Sequence, residues 1–325
     1  MLFPIHIIDI QSAVAAFGVG VLVGITGMGG GALMTPALIF LGVGRVSDIV
    51  TADLTAAAIY KTSGAAIHYR DGSPNIRVAV LLMSSSIPMA FVAPHLLRWV
   101  CPTTQIDTVL TVAIGLALLF AAVIYALRLY IQLRKAVKRK SRFSSEPLVR
   151  PVPTILIGAL GGLLVGMTSV GAGSVIMIAL VMLYPTLAPV KVVATDLLQA
   201  VPLVLSAAIS NIFLNGLNYN ILIPLTVGSV PGCIIGAKLA PKLRPAYIRR
   251  GIVVVLTMSG LALLDKVRVN VLGAEHAQTH PGPIALIGIT LLALIPLVWG
   301  LLRRSVGLAM FGPPTIAQLE ESSGG

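Results

Sequence analysis

Two glycine-rich stretches, VGITGMGGG at residues 23–31 and VGMTSVGAG at residues 165–173, interrupt two long apolar segments of the chain. Five of their nine aligned positions are identical. Three other features recur 143 residues apart, namely Asp53-Leu54 with Asp196-Leu197, Pro88 with Pro231, and Pro102 with Pro245. Because a chance similarity would not persist through separate landmarks, the sequence indicates an internal duplication.

The composition is that of a membrane protein. Of the 325 residues, 57% are hydrophobic and 10% are charged, whereas a soluble domain carries about 25% charged residues. This excludes a soluble enzyme and most secreted proteins. The net charge of +12 is not gathered on one soluble face, so a nucleic-acid partner is not expected. Cys101 and Cys233 lie far apart without metal-ligand spacing, and no metal or cofactor is predicted.

Seven segments have the roughly 20 apolar residues that a membrane-spanning helix needs. They are 49–69, 76–97, 106–130, 192–214, 219–239, 247–264 and 283–302. The interrupted apolar stretches, 12–41 and 153–184, are each longer than one span. Between the halves, Arg128–Arg150 carries eight basic residues and a single acid, Glu146, which predicts a cytoplasmic linker by the positive-inside rule.

The distribution of basic residues predicts how the interrupted stretches lie in the membrane. If each is a pair of half-helices that enters and leaves on one side, 18 of the 23 Lys and Arg residues fall inside. If the second stretch crossed fully, the basic segment 238–250 would face outward, so the asymmetry favours re-entry. Each repeat then consists of a re-entrant or broken glycine-rich helix plus three transmembrane helices, an odd number that inverts the second repeat.

The predicted fold is therefore an all-α polytopic membrane protein with two inverted repeats and one extra C-terminal transmembrane helix. Its predicted location is the cytoplasmic (inner) membrane, with membrane lipid as its surroundings. A homo-oligomer is compatible with the appended helix. The predicted order is a first transmembrane repeat (1–131), a basic cytoplasmic linker (132–152), a second transmembrane repeat (153–265), an outer loop with the additional helix (266–302) and a cytoplasmic tail (303–325).

The glycine-rich breaks are the first candidate site. Glycine destabilises a helix by about 1 kcal/mol per residue relative to alanine, and in lipid a broken backbone is tolerated only where it lines a cavity or contacts protein. A half-helix beginning at Gly29–Gly31 would direct free N–H groups and its positive dipole end at such a cavity, which suits an anion. The alternative is that these glycines only permit close helix packing. The predicted substrate-binding residues are Thr26, Gly27, Gly29, Gly30, Gly31, Thr168, Ser169, Gly171, Gly173 and Ser174.

Polar residues that follow the breaks form a second candidate set. Asp53, Lys61 and His68 share one helix face, and ionisable groups inside a membrane are functional by default. The two aspartates are either proton-coupling or substrate-contacting residues, or helix caps in a first turn. Lys61 either attracts an anion or extends toward an interface, and His68 is either a structural hydrogen bonder or a proton relay. The equivalent residues of the second repeat are Asp196, Gln199, Ser206 and Asn211.

The two glycine stretches, the Asp-Leu pairs after them and Val230-Pro231-Gly232 resemble the motifs of the sulfite exporter TauE/SafE family, also called the toluene sulfonate uptake permease family. The resemblance covers residues 12–265. It implies an inner-membrane carrier of sulfur oxyanions or organosulfonates. The longer basic linker and the additional helix at 283–302 depart from the usual form, which affects the C-terminal location and any oligomer contact but not the site.

The predicted function is that of a secondary transporter for a small sulfur-containing anion, such as sulfite or an organosulfonate. The anion would bind at the paired breaks near the midplane of the membrane. A small-anion channel is the alternative within transport. An integral membrane enzyme or assembly factor is a further alternative, disfavoured because the sequence carries no catalytic constellation.

Overall fold

The computed structural model describes residues 7–26, 31–71, 74–138, 149–170, 175–184, 187, 189–239, 245–272 and 281–305. All regular elements in these residues are helical, which confirms the predicted all-α architecture. A 3-10 turn lies at Thr103–Gln105. The α-helices are α1 (Ile7–Thr26), α2 (Gly31–Leu41), α3 (Val46–Asp71), α4 (Ile76–Val100), α5 (Ile106–Lys138), α6 (Pro151–Thr168), α7 (Val175–Leu183), α8 (Pro189–Asn215), α9 (Tyr219–Leu239), α10 (Pro245–Leu272) and α11 (Pro281–Ser305).

Local signals set several helix ends. The side chain of Asn75 accepts a hydrogen bond from the backbone N–H of Val78 (3.1 Å) and so caps α4. Pro151 opens α6, at a position where no backbone N–H is needed. Lys266 donates from Nζ to the carbonyl of Ile39 (2.9 Å) and so satisfies an acceptor in the last turn of α2.

Within the described residues, five segments are long and apolar enough to cross a membrane: Ile76–Val100, Ile106–Ile124, Pro151–Thr168, Ala194–Asn215 and Tyr219–Gly236. Four of these coincide with predicted spans, and the fifth is α6, the first arm of the second interrupted stretch. At a rise of 1.5 Å per residue, the 20 residues of α1 and the 18 of α6 extend about 30 and 27 Å. The expectation of two half-helices in each stretch is therefore wrong for the first arms. Only the second arms, α2 with 11 residues and α7 with 9, are that short.

The helices recur in order as α1–α5 and α6–α10. Each helix of the second set begins 139 to 144 residues after its counterpart. The first helix of each set packs against the fourth helix of the other set, so α1 packs on α9 and α6 on α4. Equivalent helices also pack on each other, α3 on α8 and α5 on α10, whereas α11 packs on α10.

Glycines at four-residue spacing bring the first and fourth helices close together. Gly158, Gly162 and Gly166 of α6 face the carbonyl oxygens of Leu82, Ser86 and Ala90 on α4. Gly228, Gly232 and Gly236 of α9 face those of Ala13, Phe17 and Val21 on α1. A Cβ at Gly158 would lie 2.7 Å from the Leu82 oxygen, so any larger residue would push the helices apart. Because the contacts ascend together along both helices, each pair runs parallel.

The pairs of equivalent helices run antiparallel. The backbone N–H of Asn75, beyond the end of α3, donates to Thr195 Oγ1 near the start of α8 (2.9 Å). At the opposite ends, Asn215 Nδ2 donates to Thr51 Oγ1 (3.2 Å). Along α5 and α10, Gly115 faces Leu264, whereas Gly260 faces Leu119.

The second interrupted stretch folds back on itself. Tyr184 follows α7 directly, and its hydroxyl lies 2.6 Å from Thr154 Oγ1 and accepts a hydrogen bond from the N–H of Arg150 (3.1 Å). Ile176, at the start of α7, packs against Gly161, midway along α6. The end of α7 therefore lies beside the start of α6. We refer to α1–α2 as the first hairpin and to α6–α7 as the second hairpin.

Candidate functional site

Asp53 connects the two hairpins. Its side chain is fully buried in α3, with 0% of its surface exposed. Its Oδ2 accepts hydrogen bonds from Thr35 Oγ1 (2.5 Å) and Ser169 Oγ (2.8 Å). Thr35 lies in α2 of the first hairpin, whereas Ser169 lies directly after α6 in the second. One carboxylate oxygen therefore joins the glycine-rich segments of both repeats.

The other carboxylate oxygen of Asp53 is buried without a hydrogen-bond donor among the described residues. Nine-tenths or more of buried polar groups in proteins have a partner, and an unsatisfied one costs about 1–3 kcal/mol. An exception at the contact between two hairpins calls for a functional explanation. A proton or a bound ligand at Oδ1 would satisfy the atom.

Ser169 holds an uncommon backbone conformation at the break. Its φ of 58° lies in the left-handed region, which costs a non-glycine residue about 1–3 kcal/mol. Its N–H still donates to the carbonyl of Val165 (2.9 Å), and Thr168 Oγ1 accepts from the N–H of Val170 (3.2 Å). The aligned residue of the first stretch is Gly27, the residue type that tolerates this region best. The strained turn directs the Ser169 hydroxyl at Asp53.

Asp196 occupies the position in α8 that corresponds to Asp53 in α3. It is 3% exposed, and its Oδ1 accepts a hydrogen bond from Gln199 Nε2 (3.1 Å). Gln199 Oε1 in turn lies 3.4 Å from the hydroxyl of Ser86 on α4. The two aspartates are therefore equivalent in position but differ in surroundings, because an amide from its own helix binds Asp196.

Lys61 is buried, with 8% of its surface exposed, and it interacts electrostatically with both Asp196 and Asp53. Its place inside the protein does not fit a side chain that extends to an interface. At 1.5 Å per residue, Lys61 lies about 12 Å beyond Asp53 along α3. Its counterpart in α8 is Val204, so this cation has no duplicate in the second repeat.

The remaining predicted residues have different positions. Ser206 Oγ donates to the carbonyl of Ile87 (2.9 Å), and Asn211 Nδ2 donates to that of Gly166 (3.0 Å). These two residues tie α8 to α4 and α6 and are not gathered around the aspartates. Gly31 begins α2. Outside the described residues lie Gly27, Gly29, Gly30, Gly171, Gly173 and Ser174, together with the side chains of Thr26 and His68.

The capping interpretation of the two aspartates is wrong. Asp53 is the eighth residue of α3 and Asp196 the eighth of α8, so neither lies in a first turn. The acceptor that serves the start of α3 is Asp107 Oδ1, which binds the N–H of Ser47 (3.1 Å) from α5. A tertiary contact of this kind leaves no mark in the local sequence.

Sequence reasoning missed Thr35 and Ser86. Thr35 is the only polar side chain in the 11 residues of α2, and it is fully buried. A lone hydroxyl in an apolar half-length helix beside a glycine break is a signal that could have identified it. Ser86 is one of three consecutive serines in α4, and nothing in the sequence distinguishes it from its neighbours.

Metal ligation finds no support in the part of the chain that the structure describes. No group of three or more His, Cys, Asp or Glu side chains there is close enough together to hold an ion. Cys101 and Cys233 are both free thiols. The polar atoms of the site are hydroxyls, carboxylates, amides and one ammonium group, a set suited to hydrogen bonding and charge interaction with a small solute.

Comparison with known proteins defines the family. The family model described as sulfite exporter TauE/SafE matches residues 12–263. Two proteins of Bacillus subtilis (strain 168) are similar over 248 residues, 76% of this chain: the probable membrane transporter protein YjnA, 36% identical over 96% of its length, and the probable membrane transporter protein YdhB, 24% identical over 97% of its length. No solved structure matches the chain significantly. The resemblance inferred from the glycine stretches is confirmed, as is the prediction of a transport protein rather than an enzyme. The chain belongs to the sulfite exporter TauE/SafE family of multi-pass membrane transporters.

Proposed function

We propose that this protein is a secondary transporter of a small sulfur-containing anion, sulfite or an organosulfonate, across the cytoplasmic membrane. The observation that carries the proposal is the Asp53 carboxylate, which joins both hairpins through Oδ2 and keeps Oδ1 buried without a donor among the described residues. A transporter needs a dehydrated polar site between elements that can move apart. The contact between Asp53, Thr35 and Ser169 has these properties.

Charge determines how an anion binds there. Asp53 and Asp196 contribute two negative charges and Lys61 one positive charge, so an anion is repelled while both carboxylates are ionised. Protonation of Asp53 makes the three residues neutral together and turns Oδ1 into a hydrogen-bond donor. The ammonium of Lys61 and the amides of the glycine breaks complete the binding site. The anion and one proton therefore bind together.

We infer that the two repeats have inverted orientations in the membrane. The antiparallel packing of α3 on α8 and of α5 on α10 supports this, as does the return of α7 to the start of α6. With the basic linker inside, Asp53 lies about 10 Å from the outer end of α3. The two breaks then lie on opposite sides of the midplane with Lys61 between them, so the binding sites of the repeats are accessible from opposite sides. The domain boundaries and the homo-oligomer remain predictions.

Cysteine labelling tests this orientation. In a variant without Cys101 and Cys233, Ser144→Cys should react with an impermeant thiol reagent only after the cells are opened, whereas Ala277→Cys should react in intact cells. Labelling of both from outside in intact cells would contradict the inverted orientation. Immunoblots of the same membranes confirm that both variants are inserted.

Two glycine substitutions separate binding from packing. Gly171→Val should abolish transport but leave a monodisperse protein, because the side chain blocks the approach of an anion to the backbone N–H groups. Gly162→Val should instead prevent folding, since its Cβ would overlap the Ser86 carbonyl on α4. Size-exclusion chromatography and uptake of the anion measure both effects. If Gly171→Val also fails to fold, the glycines of the break serve packing and not binding.

The proposal itself is tested by uptake into proteoliposomes. Sulfite, thiosulfate, sulfoacetate and taurine are supplied one at a time, with acetate as an anion that lacks sulfur. We expect gradient-driven uptake of at least one sulfur anion without chemical conversion, and stronger uptake when the side of entry is acidic. Conversion of the solute into a product would instead identify an enzyme.

A further inference from the structure

A cavity of about 200 Å³ lies at the end of the bundle where α3 begins and α8 ends. Its walls include Arg45, Ser47, Arg98, Asp107 and Asn215. Since a water molecule in the liquid takes up about 30 Å³, the cavity has room for a small oxyanion and a few water molecules. Ser47 lies six residues before Asp53, so the cavity is about 9 Å from that carboxylate along α3.

The two arginines of the cavity differ in how their charges are balanced. Arg45 makes a bidentate ion pair with Asp48, at 3.0 and 3.1 Å. The hydrogen bond and the negative charge of Asp48 raise the pKa of Arg45, so this pair stays ionised and carries no net charge. Arg98 makes no ion pair within the described part of the chain. Its positive charge is therefore the unbalanced one in the cavity.

Arg98 is held in place by the end of α8. Its Nη2 donates to the carbonyl of Leu214 (2.7 Å) and to Asn215 Oδ1 (2.8 Å). Both bonds use one nitrogen, so the other N–H groups of the guanidinium face no described acceptor. An arginine that is fixed in position and still has free donors is well suited to binding an oxyanion.

A chain of amides leads from Arg98 toward the second hairpin. Asn215, which binds Arg98, donates to Thr51 Oγ1 (3.2 Å) and lies 3.4 Å from Asn211 Oδ1. Asn211 in turn donates to the carbonyl of Gly166, three residues before Ser169. The cavity and the Asp53 site are thus connected through side chains that can bind a polar solute. In the sequence, the positions 143 residues after Arg45 and Arg98 are Ala188 and Pro241, so the second repeat does not duplicate the arginines.

We propose that this cavity is a second anion site, an outer vestibule in which Arg98 captures the sulfur oxyanion before it reaches Asp53. The inference rests on the proposed function. The vestibule raises the local concentration of the anion through its charge, and the Asn215–Asn211 chain passes the anion inward. Arg98 thus determines how tightly the anion is captured, and the Asp53 site determines how fast it crosses.

Arg98→Gln in proteoliposomes of zwitterionic lipid tests the vestibule. We expect KM for outside anion to rise about tenfold, as for loss of a charged hydrogen-bond donor, while the maximal rate changes less than about twofold. The KM of the unaltered protein should rise with ionic strength, and Arg98→Gln should lose most of that dependence. Arg98→Lys should restore much of the affinity because it keeps the charge, whereas Arg45→Gln should have a smaller effect. Arg304→Gln, an exposed arginine at the end of α11, serves as the control.

Three outcomes would overturn the vestibule. The first is an unchanged KM in Arg98→Gln together with normal transport by the unaltered protein. The second is equal damage by glutamine and lysine with no change in salt dependence, which would make Arg98 a structural cap of α8. The third is an effect that appears only in vesicles with anionic lipid, which would assign the cavity to a lipid headgroup. If the unaltered protein transports no sulfur anion at all, the proposed function fails first, and the vestibule fails with it.

Discussion

Asp53→Asn is expected to keep anion binding and to remove the pH dependence of transport. Asparagine is isosteric with the protonated carboxyl group, and its oxygen can accept the hydrogen bonds of Thr35 and Ser169. In the unaltered protein, only the protonated form of Asp53 binds the anion well. Apparent affinity therefore falls as the pH rises above the protonation midpoint, by up to about tenfold per pH unit. The asparagine variant mimics the protonated form at every pH, so its affinity should change less than about twofold over the same range.

Asp196→Asn is the matched control, because it makes the same change at the equivalent position of the second repeat. Asp196 already accepts a hydrogen bond from Gln199, and this variant should keep most of the pH dependence. Binding is measured by isothermal titration and flux by uptake, each over a pH series. A pH response of Asp53→Asn equal to that of the unaltered protein would leave Asp53 as a structural acceptor for two hydroxyls.

Lys61→Met should weaken anion binding by about 10-fold to 100-fold, the equivalent of a charged hydrogen bond worth 1.5–3 kcal/mol. The residue is the single buried lysine among the described side chains, and it interacts with the aspartates of both repeats. Lys61→Arg keeps the charge and should bind the anion better than Lys61→Met. Affinity is measured on monodisperse protein, so that a folding defect is recognised separately.

A double variant distinguishes two roles of Lys61. If Lys61 only neutralises Asp53, then Lys61→Met combined with Asp53→Asn removes both charges and binding returns. If Lys61 contacts the anion, the double variant binds as weakly as Lys61→Met alone. We expect the second result, since the coupling between neighbouring charges should be small compared with the loss of the anion contact.

The fold was largely predictable because its main determinants repeat in the sequence. The glycine stretches and the Asp-Leu pairs recur at nearly constant spacing, and the helices of the structure recur in the same order. The lengths of the hairpin arms were not predictable from an apolar pattern alone. Hydropathy shows where the chain is apolar, whereas the end of α6 depends on the left-handed turn at Ser169.

The site was predicted in part. Asp53, Lys61 and Ser169 were identified because ionisable residues and broken helices are rare in membranes. The partner of Asp53 in α2, Thr35, was not, because a hydrogen bond between residues 18 positions apart depends on tertiary packing. The packing glycines of α6 and α9 lie on helices that are not equivalent in the duplication. A search for repeated residues therefore passes over them.

The central claim, that the anion is carried through a site that opens alternately to the two sides, is tested most directly by counterflow. Proteoliposomes are preloaded with the unlabelled sulfur anion that the uptake panel identifies, and entry of the radiolabelled anion from outside is followed. The account predicts that preloading accelerates entry severalfold and produces a transient accumulation, because the loaded carrier returns faster than the empty one. Entry at the same rate with and without preloading would contradict the account and identify the protein as an anion channel.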